Sequence, residues 1–380
     1  MGQNVDEVTS HVRGNMPTPP SEEQIIDWFD DLSNWGRWGD DDRLGTLNHL
    51  TPAKRVSAAE LVREGLSISC SWDIRTGQQP GATVESQRYM LSTGLGLDEE
   101  GRRGLMGGGR AGGAQEFIGM VFHGLDVTHL DSLAHLFWDG KMYGGAPSSL
   151  VSDRHGALKH DVLAVRDGVT TRGVLLDIAR LRGVEVLDAD DHIYPEDLEA
   201  AEEAAGVRCE AGDVLLVRTG EGGARIREKK NYNANKPRSG YQAACLPWLA
   251  ERGISMIGSD VAQDPTPSGY KNVSMPIHMV GIVAMGLWLI DNCQLEDLAD
   301  ACSQKGRWEF QFMLSPIRFQ GVTGSPVNPL AIFYTIDGGQ STNDRDPPTY
   351  RRARPGCVGD RESGQWAGVA LSHRWPRSRG

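Results

Sequence analysis

The chain of 380 residues carries a formal net charge of −12, and 39% of its residues are hydrophobic. This length allows one large or two modest domains with a buried core. The acidic balance argues against nucleic acid and anionic membranes as partners, because both need clustered positive charge, and a small-molecule substrate is expected instead.

The six cysteines, at positions 70, 209, 245, 293, 302 and 357, form no Cys-x-x-Cys pair. This usage is typical of buried thiols in a reducing compartment. The N-terminal residues lack the basic start and apolar core of a signal peptide. The longest apolar run, 280–290, is too short to cross a membrane. A cytoplasmic protein without a membrane partner is therefore expected.

Residues 1–20, which contain three prolines, are expected to form a flexible leader before a domain at 21–341. Ser21 begins a capping-box pattern, so a helix should follow and bring Ile25, Ile26, Trp28 and Phe29 into contact with the rest of the chain. A second helix of about a dozen residues is predicted from Thr51 and Pro52 to Gly65.

Two tryptophans, Trp35 and Trp38, flank a polar turn. They are either packing residues or the aromatic wall of a substrate pocket, and packing is the simpler interpretation. After a strand predicted at 66–72, residues 93–113 are dominated by glycine. No Gly-Lys-Ser/Thr follows, which argues against a phosphate loop and favours a mobile lid near the site.

A strand predicted at 117–122 leads into the segment that carries the chemistry. Within thirteen residues the chain places three histidines and two aspartates: His123, Asp126, His129, Asp131 and His135. Imidazole and carboxylate together are ligands of zinc and manganese, and they are also common general acids and bases.

The spacing of this segment predicts convergence. His129 and Asp131 would point to one face of a strand, with Cα atoms about 7 Å apart. Asp131 and His135 would stack on one face of a helix, about 6 Å apart. A strand that runs into a helix at Asp131 would turn all three side chains into one pocket. The alternative is an ordinary hydrogen-bonded polar loop.

Strands and helices alternate in the second half of the chain, which predicts an α/β fold with a mixed sheet. The predicted strands are 162–165, 174–178, 214–218 and 254–257, and the predicted helices are 195–205 and 241–252. An apolar helix is predicted from His278 to Asp291. Thirteen residues make about 3.6 turns, so Asp291 should lie on a different face from His278.

The motif His129-Leu-Asp-Ser-Leu-Ala-His135 resembles the His-x-Gly-Thr-His-x-Asp-x-Pro-x-His signature of the cyclase family of metal-dependent hydrolases. Further stretches resemble later landmarks of the family, in the family's order, and the resemblance covers roughly 35–335. They are 172–180, 212–220, 258–260, 276–278 and 324–329.

The resemblance implies a single-domain swivelling β/α/β fold, a divalent zinc or manganese ion, and a homodimer or higher homo-oligomer. It implies His129, Asp131 and His278 as metal ligands, with His135 and His278 as catalytic residues. It leaves the roles of Asp291 and Glu309 open.

The chain departs from the signature at Leu125, which stands where the family has its first histidine. Leucine cannot bind a metal, so His123 or Asp126 would have to supply the missing ligand. An extended segment would place His123 about 20 Å from His129. His123 therefore needs a turn at Gly124 to reach the site.

The expected function is cleavage of a C–N or C–O bond in a small amide, formamide, cyclic amide or lactone, often with an aromatic ring, by a metal-activated water. Two alternatives remain open. One is a metal-free binding protein or pseudoenzyme on the same fold, and the other is a lyase or isomerase that uses the same histidines. Residues 342–380, which contain many arginines, prolines and glycines, are expected to be a disordered tail.

Overall fold

The computed structural model describes residues 17–62, 65–77, 84–94, 113–228 and 236–333. The leader expected at 1–20 lies outside this part except for residues 17–20, and the tail at 342–380 lies outside it entirely. Most of the glycine-rich stretch, 95–112, is also outside the described residues. No described helix has the length and apolar character that a membrane span requires.

The described strands are, in chain order, β1 Leu66–Ser69, β2 Gln87–Ser92, β3 Gln115–Gly119, β4 His129–Asp131, β5 Val151–Ser152, β6 Gly156–Ala157, β7 Val169–Asp177, β8 Val214–Arg218, β9 Met256–Ser259, β10 Trp288–Asp291, β11 Glu309–Leu314, β12 Gly324–Pro326 and β13 Leu330–Phe333. The helices are α1 Glu22–Asp31, α2 Pro52–Ala59, α3 Ile178–Leu181, α4 Pro195–Ala205, α5 Glu221–Glu228, α6 Cys245–Arg252, α7 Pro276–His278 and α8 Glu296–Lys305.

Nine strands form one mixed sheet in the order β1-β13-β11-β7-β8-β9-β10-β4-β12. Neighbours from β7 to β10 are parallel, whereas the outer pairs are antiparallel. The parallel strands are buried almost throughout, which explains the continuous apolar run Val214-Leu-Leu-Val217. The predicted α/β fold with a mixed sheet is confirmed.

Local signals located several helix ends correctly. The Ser21 side chain accepts a hydrogen bond from the Gln24 N–H at the start of α1, which buries Ile25 and Trp28. Gly206 and Gly253 end α4 and α6 in the left-handed conformation. Helix α2, however, ends at Ala59 and is eight residues long, shorter than predicted.

The strand predicted at 162–165 is wrong, because these residues form a 3-10 helix. Val162 and Val165 are buried, whereas the two residues between them are partly exposed. This spacing of three matches the period of a 3-10 helix, on which residues i and i+3 share a face. A four-residue apolar run does not distinguish this arrangement from a short strand.

The strand predicted at 117–122 lies at 115–119 and does not deliver the motif into the main sheet. β3 pairs with β2 in a separate two-stranded ribbon. Bends at 123–127 then lead to β4, which is held between β10 and β12.

The helix predicted from His278 to Asp291 is also wrong. Helix α7 continues as a π-helix, Met279–Met285, and ends at Gly286, which has φ of 69°. The chain then enters β10, so Asp291 lies at the end of a strand. An unbroken apolar run did not reveal this break, because a buried helix and a buried parallel strand have the same composition.

Candidate metal centre and active site

Strand β4 places two of the candidate ligands. Its three residues are buried, and side chains alternate along a strand, so His129 and Asp131 share one face while Leu130 enters the core on the other. β10 holds β4 in register, with Asp291 opposite His129 and Leu289 opposite Asp131. His129 therefore lies beside Asp291, which is 162 positions later in the chain.

Asp131 is the centre of the cluster and is only 1% exposed. Its Oδ1 lies 2.9 Å from Nδ1 of His123, 3.4 Å from Nε2 of His129 and 3.9 Å from Nε2 of His135. Its Oδ2 lies 3.7 Å from Nε2 of His278. Neither carboxylate oxygen accepts a hydrogen bond of normal geometry. A buried carboxylate without such bonds is costly unless a cation balances it.

His123 reaches Asp131 because the chain bends at Gly124, whose φ is 155°. Its Nε2 lies 2.9 Å from the Thr323 hydroxyl. Of the two candidates for the missing ligand, the structure brings His123 to the cluster. Asp126 instead faces Arg225 at 3.7 Å, and burial raises the pKa of its carboxyl.

His135 lies in a turn, so the helix expected after Asp131 is absent, although the side chain still approaches Asp131. The backbone N–H of His135 bonds the carbonyl of Ser132. The His135 ring stacks on His123, with centroids 3.8 Å apart and planes 5° apart. Its side chain is 22% exposed, whereas that of His129 is 2% exposed. His135 is therefore the more accessible imidazole of the two.

The second half of the chain contributes His278, Asp264 and Asp291. Nδ1 of His278 lies 2.6 Å from Asp264, and Nε2 lies 3.1 Å from Asp291. The expectation that Asp291 faces away from His278 is therefore wrong, because Gly286 ends the helix and β10 carries Asp291 back to the site. Backbone N–H groups of Ile277 and His278 also donate to Asp264.

Two supporting side chains hold this half of the site. The amide of Gln263 donates to Asp291 at 3.0 Å and to the carbonyl of Ile290 at 2.8 Å. The amide of Asn292 donates to the carbonyl of Gly124 at 2.7 Å and so ties the end of β10 to the bend that positions His123. No local sequence pattern predicts Asp264, Gln263 or Asn292 as residues of the site. These residues could have been suspected because they follow the strands β9 and β10, and loops that follow parallel strands commonly form binding sites.

The charges in the cluster are strongly coupled. Burial opposes ionisation of Asp131, but the surrounding imidazoles, led by His135, lower the pKa of that carboxyl below its usual range. Burial lowers the pKa of His135 to about 4, against the opposing effect of Asp131. Burial also disfavours charge on His278, but Asp291 and Asp264 raise its pKa well above the ordinary value. At neutral pH, His135 is thus a neutral base.

The donor set fits a divalent metal ion. Two groups of three donors share Asp131, one with His123 and His129 and one with His278 and Asp291, and the donor atoms in each lie within 4.8 Å of one another. Nδ1 of His129 lies 2.8 Å from the carbonyl of Val127, a partner that leaves Nε2 free for an ion. A second partner that fixes the imidazole in this way is typical of metal-binding histidines.

Three residues considered earlier lie elsewhere. The Trp35 indole donates to the carbonyl of Val283, and Trp38 makes an edge contact with His49. Neither lines the cavity described below, which agrees with the packing interpretation. Glu309 accepts hydrogen bonds from Arg172 and Arg307 and belongs to an ion-pair network.

A cavity of about 1230 Å³ is lined by Phe122 and Gly324, which both lie against the His123 ring, although His123 itself does not line it. It is lined by Trp72, by Phe122 and Ile118, and by the loop that ends in β12. Phe122 lies 4.6 Å from the His123 ring between centroids. A Cβ atom added to Gly324 would lie 2.8 Å from the His123 ring, so glycine there allows the loop to pass close to the cluster.

Comparisons with known proteins identify one similar family model and several similar folds. Residues 115–263 match the family model described as "Cyclase: Putative cyclase". A solved structure described as a novel cyclase is 28% identical, with a TM-score of 0.71 over 80% of this chain and 98% of that chain. Isatin hydrolase A from Labrenzia aggregata is 19% identical, with a TM-score of 0.50 over 74% of this chain and 98% of that chain, and shares the fold.

The search of curated proteins found no match. The family match spans His123, His129, Asp131 and His135, and together with the shared fold it confirms the resemblance of this chain to the cyclase family.

Proposed function

We propose that this protein is a metal-dependent hydrolase that cleaves a C–N or C–O bond in a small amide, formamide, cyclic amide or lactone. The observation that carries the proposal is Asp131, a buried carboxylate that four imidazoles surround and that accepts no hydrogen bond of normal geometry. A divalent ion, zinc or manganese, would be held by His123, His129 and Asp131, and by His278 and Asp291. Such an ion, when bound, acidifies water and polarises a carbonyl.

His135 is assigned the proton transfers. As a neutral imidazole it would accept a proton from the attacking water at Nε2, the nitrogen that faces Asp131. It would then return this proton to the leaving nitrogen or oxygen, so that the reaction consumes one water and no net proton. Asp264 would orient His278 through Nδ1.

The cavity supports a small and partly apolar substrate. Trp72, Phe122 and Phe319 supply aromatic surface to its walls, whereas Arg75 and Arg88 supply positive charge. A ring could lie against the aromatic walls while its carbonyl points towards His123. This arrangement favours aryl amides and fused cyclic amides or lactones over long aliphatic substrates.

The metal-free binding protein is the weaker alternative. It was suggested by Leu125, which stands where the family has its first histidine, but His123 reaches the cluster and can replace that histidine. The lyase or isomerase alternative uses the same side chains. It differs in its products, because a hydrolase product gains one water and a lyase or isomerase product does not.

The test combines metal content, product mass and two variants. We expect the purified protein to bind zinc or manganese stoichiometrically and to add one water to members of an aryl formamide, cyclic amide and lactone panel. Asp131→Asn should lose the metal while circular dichroism shows a folded protein. His135→Asn should keep the metal and lose turnover by about 10²-fold or more.

The controls are Asp188→Asn and His155→Asn, which change an exposed carboxylate and an exposed imidazole. Stoichiometric metal in Asp131→Asn would disprove the ligand assignment. Full turnover in His135→Asn would remove that residue from the mechanism. Products without added water would favour a lyase or isomerase, and a wild-type protein that binds no metal would favour the binding protein.

A further inference from the structure

Positive charge is concentrated on one wall of the cavity. Of the residues that line the cavity, three are charged, and they are Asp73, Arg75 and Arg88. Two positive charges and one negative charge leave the lining with a net charge of +1, in a protein whose formal net charge is −12. A local excess of positive charge on an acidic protein draws a negatively charged ligand to that place.

The strand register places the two arginines opposite each other. Gly77 and Ser86 form an antiparallel bridge, in which the Gly77 N–H donates to the Ser86 carbonyl at 3.2 Å. Arg75 and Arg88 each lie two residues beyond this bridge, a spacing that keeps both side chains on one face. In the pairing of β2 with β3, Arg88 is also opposite Ile118, another residue of the cavity lining. One row of side chains from three segments therefore faces the cavity.

This pair of arginines is not neutralised by the surrounding protein. Like charges at opposite positions of paired strands repel each other. Among the described residues, no carboxylate forms an ion pair with Arg75 or Arg88. Burial raises the pKa of the Asp126 carboxyl, and Arg225 and then Arg75 oppose this effect through their charge. Both cavity arginines are exposed, so water and salt screen their repulsion until a ligand covers them.

We propose that Arg75 and Arg88 form a subsite for a carboxylate group on the substrate, and that this subsite makes the enzyme select acids over their neutral analogues. The inference rests on the proposed function, because it names a feature of the substrate of the same site. A guanidinium binds a carboxylate through two parallel hydrogen bonds, so two guanidinium groups on one wall can hold both oxygens.

Trp72 relates the position of this subsite to the metal cluster. The Trp72 N–H donates to the Thr128 hydroxyl at 3.1 Å, and Thr128 immediately precedes the candidate ligand His129. Arg75 follows Trp72 by three residues, which span at most about 10 Å of extended chain. A substrate whose carboxylate is separated from the scissile bond by an aromatic ring and a short carbon chain can span this distance. Its ring would then lie against Trp72.

The test compares the hydrolysis of an acid with that of its neutral amide. The substrates are 3-(formamidophenyl)propanoate and 3-(formamidophenyl)propanamide, each as its three ring isomers, and release of formate is measured. For at least one isomer we expect the kcat/KM of the acid to exceed that of the amide by about 10-fold or more, mainly through a lower KM. Added salt should reduce this ratio, because it screens exposed charges.

Three variants examine the source of the selectivity. Arg75→Gln/Arg88→Gln should bring the ratio of acid to amide to about one, because glutamine carries no charge. Asp73→Asn removes the one carboxylate of the lining and should raise the ratio. The matched control Arg55→Gln changes an exposed arginine of α2 and should keep the wild-type ratio. A wild-type ratio near one, or an unchanged ratio in the double variant, would overturn the proposal.

Binding measurements separate this proposal from the proposed reaction. Titration calorimetry uses 3-phenylpropanoate and 3-phenylpropan-1-ol, neither of which has a bond to be hydrolysed. We expect the acid to bind the wild type about 10-fold or more tightly than the alcohol, and the double variant to lose this preference. A preference that persists in the double variant would place the carboxylate on the metal and overturn the subsite.

The two proposals fail in different ways. If the acid binds as expected but no formamide is hydrolysed, the proposed reaction is contradicted and the subsite is supported. If the acid and the amide are hydrolysed with equal kcat/KM, the reaction is supported and the subsite is overturned.

Discussion

Asp131 differs from the other two carboxylates of the site in its hydrogen bonds. Asp264 accepts two backbone N–H groups, and Asp291 accepts the amide of Gln263. Asp131 accepts none of normal geometry, although imidazoles from both halves of the chain surround it. A charge that is buried in this way is stabilised by a cation or by protonated imidazoles. Loss of the metal should therefore destabilise Asp131 more than the other two carboxylates.

His160, which follows the end of the motif by 25 residues, is a second buried residue whose environment alters its titration. It is fully buried with φ of 60°, and its ring meets Tyr143 edge to face. Burial, with a smaller contribution from Lys159, lowers the pKa of its imidazole to about 4. A neutral imidazole is therefore enclosed near the loop that carries Tyr143.

We expect His160 to make stability depend on pH. Its ordinary pKa is 6.5, so between pH 6.5 and about 4 the unfolded chain binds a proton that the folded chain does not. Above pH 6.5 the contribution of neutral His160 to the free energy of unfolding should be fully present. As the pH falls from 6.5 to 4, the free energy of unfolding should decrease by on the order of 3 kcal/mol. Urea denaturation across this range measures the slope.

The comparison is with His160→Asn, since asparagine tolerates the left-handed backbone and does not titrate. This variant should show a shallower fall between pH 6.5 and 4 than the wild type. The exposed His155→Asn should keep the wild-type slope. Identical slopes in wild type and His160→Asn would mean that His160 titrates normally.

At the scale of elements, the connection from α7 to β10 decides how the second half of the site is built. Gly286 ends the π-helix, and its carbonyl accepts hydrogen bonds from the backbone N–H and hydroxyl of Thr46. Five residues later the chain reaches Asp291, 3.1 Å from the His278 ring. A helix and a strand thus supply two facing side chains from one short stretch.

Gly286→Ala should damage this connection. The added Cβ would lie 2.5 Å from the Tyr143 ring and 2.8 Å from Cα of Gly45, in addition to the strain of φ at 69°. We expect a loss of about 3 kcal/mol in the free energy of unfolding, together with weaker metal binding. Chemical denaturation and metal titration measure the two effects.

Gly306→Ala is the matched control. Gly306 ends α8 with φ of 62°, but nothing lies within 4 Å of an added Cβ. It should cost about 1 kcal/mol, the strain alone, and leave metal affinity unchanged. Equal losses in the two variants would show that the contacts of Gly286 with Tyr143 and Gly45 relax without cost.

At the scale of the whole molecule, the site joins distant parts of the chain through one sheet. β4 pairs with β10 on one side and with β12 on the other, so the motif at 123–135 meets elements beyond residue 276. His278 and Asp291 then face Asp131 across this junction. A bound ion would join these distant segments through its ligands, in addition to the strand pairing and the hydrogen bond from Asn292 to Gly124.

Metal removal should therefore lower thermal stability. A ligand that binds only the folded state stabilises it by about 3 to 4 kcal/mol at 100 to 1,000 times its dissociation constant. For a chain of this size we expect chelation to lower the melting temperature by on the order of 5 °C. Asp131→Asn should show no such shift. A wild-type melting temperature that does not respond to chelator would contradict a folded-state ion at this position.

The sequence by itself determined those structural features that depend on residues close together in the chain. The capping residue Ser21 and the glycines that follow 195–205 and 241–252 located helix ends, and the apolar run at 214–217 indicated a strand. The alternation of His129 and Asp131 placed both on one face of a strand, because side-chain direction in a strand follows from local geometry.

Only the tertiary structure decided which distant groups meet those residues. The bend at Gly124 selects His123 over Asp126, and the break at Gly286 turns Asp291 towards His278. Asp264 has no local pattern that marks it, since its role comes from the position of its loop beside α7. Each of these contacts depends on backbone turns and long-range strand pairing, whose energies come from packing across the sheet and are not encoded in any short window of the chain.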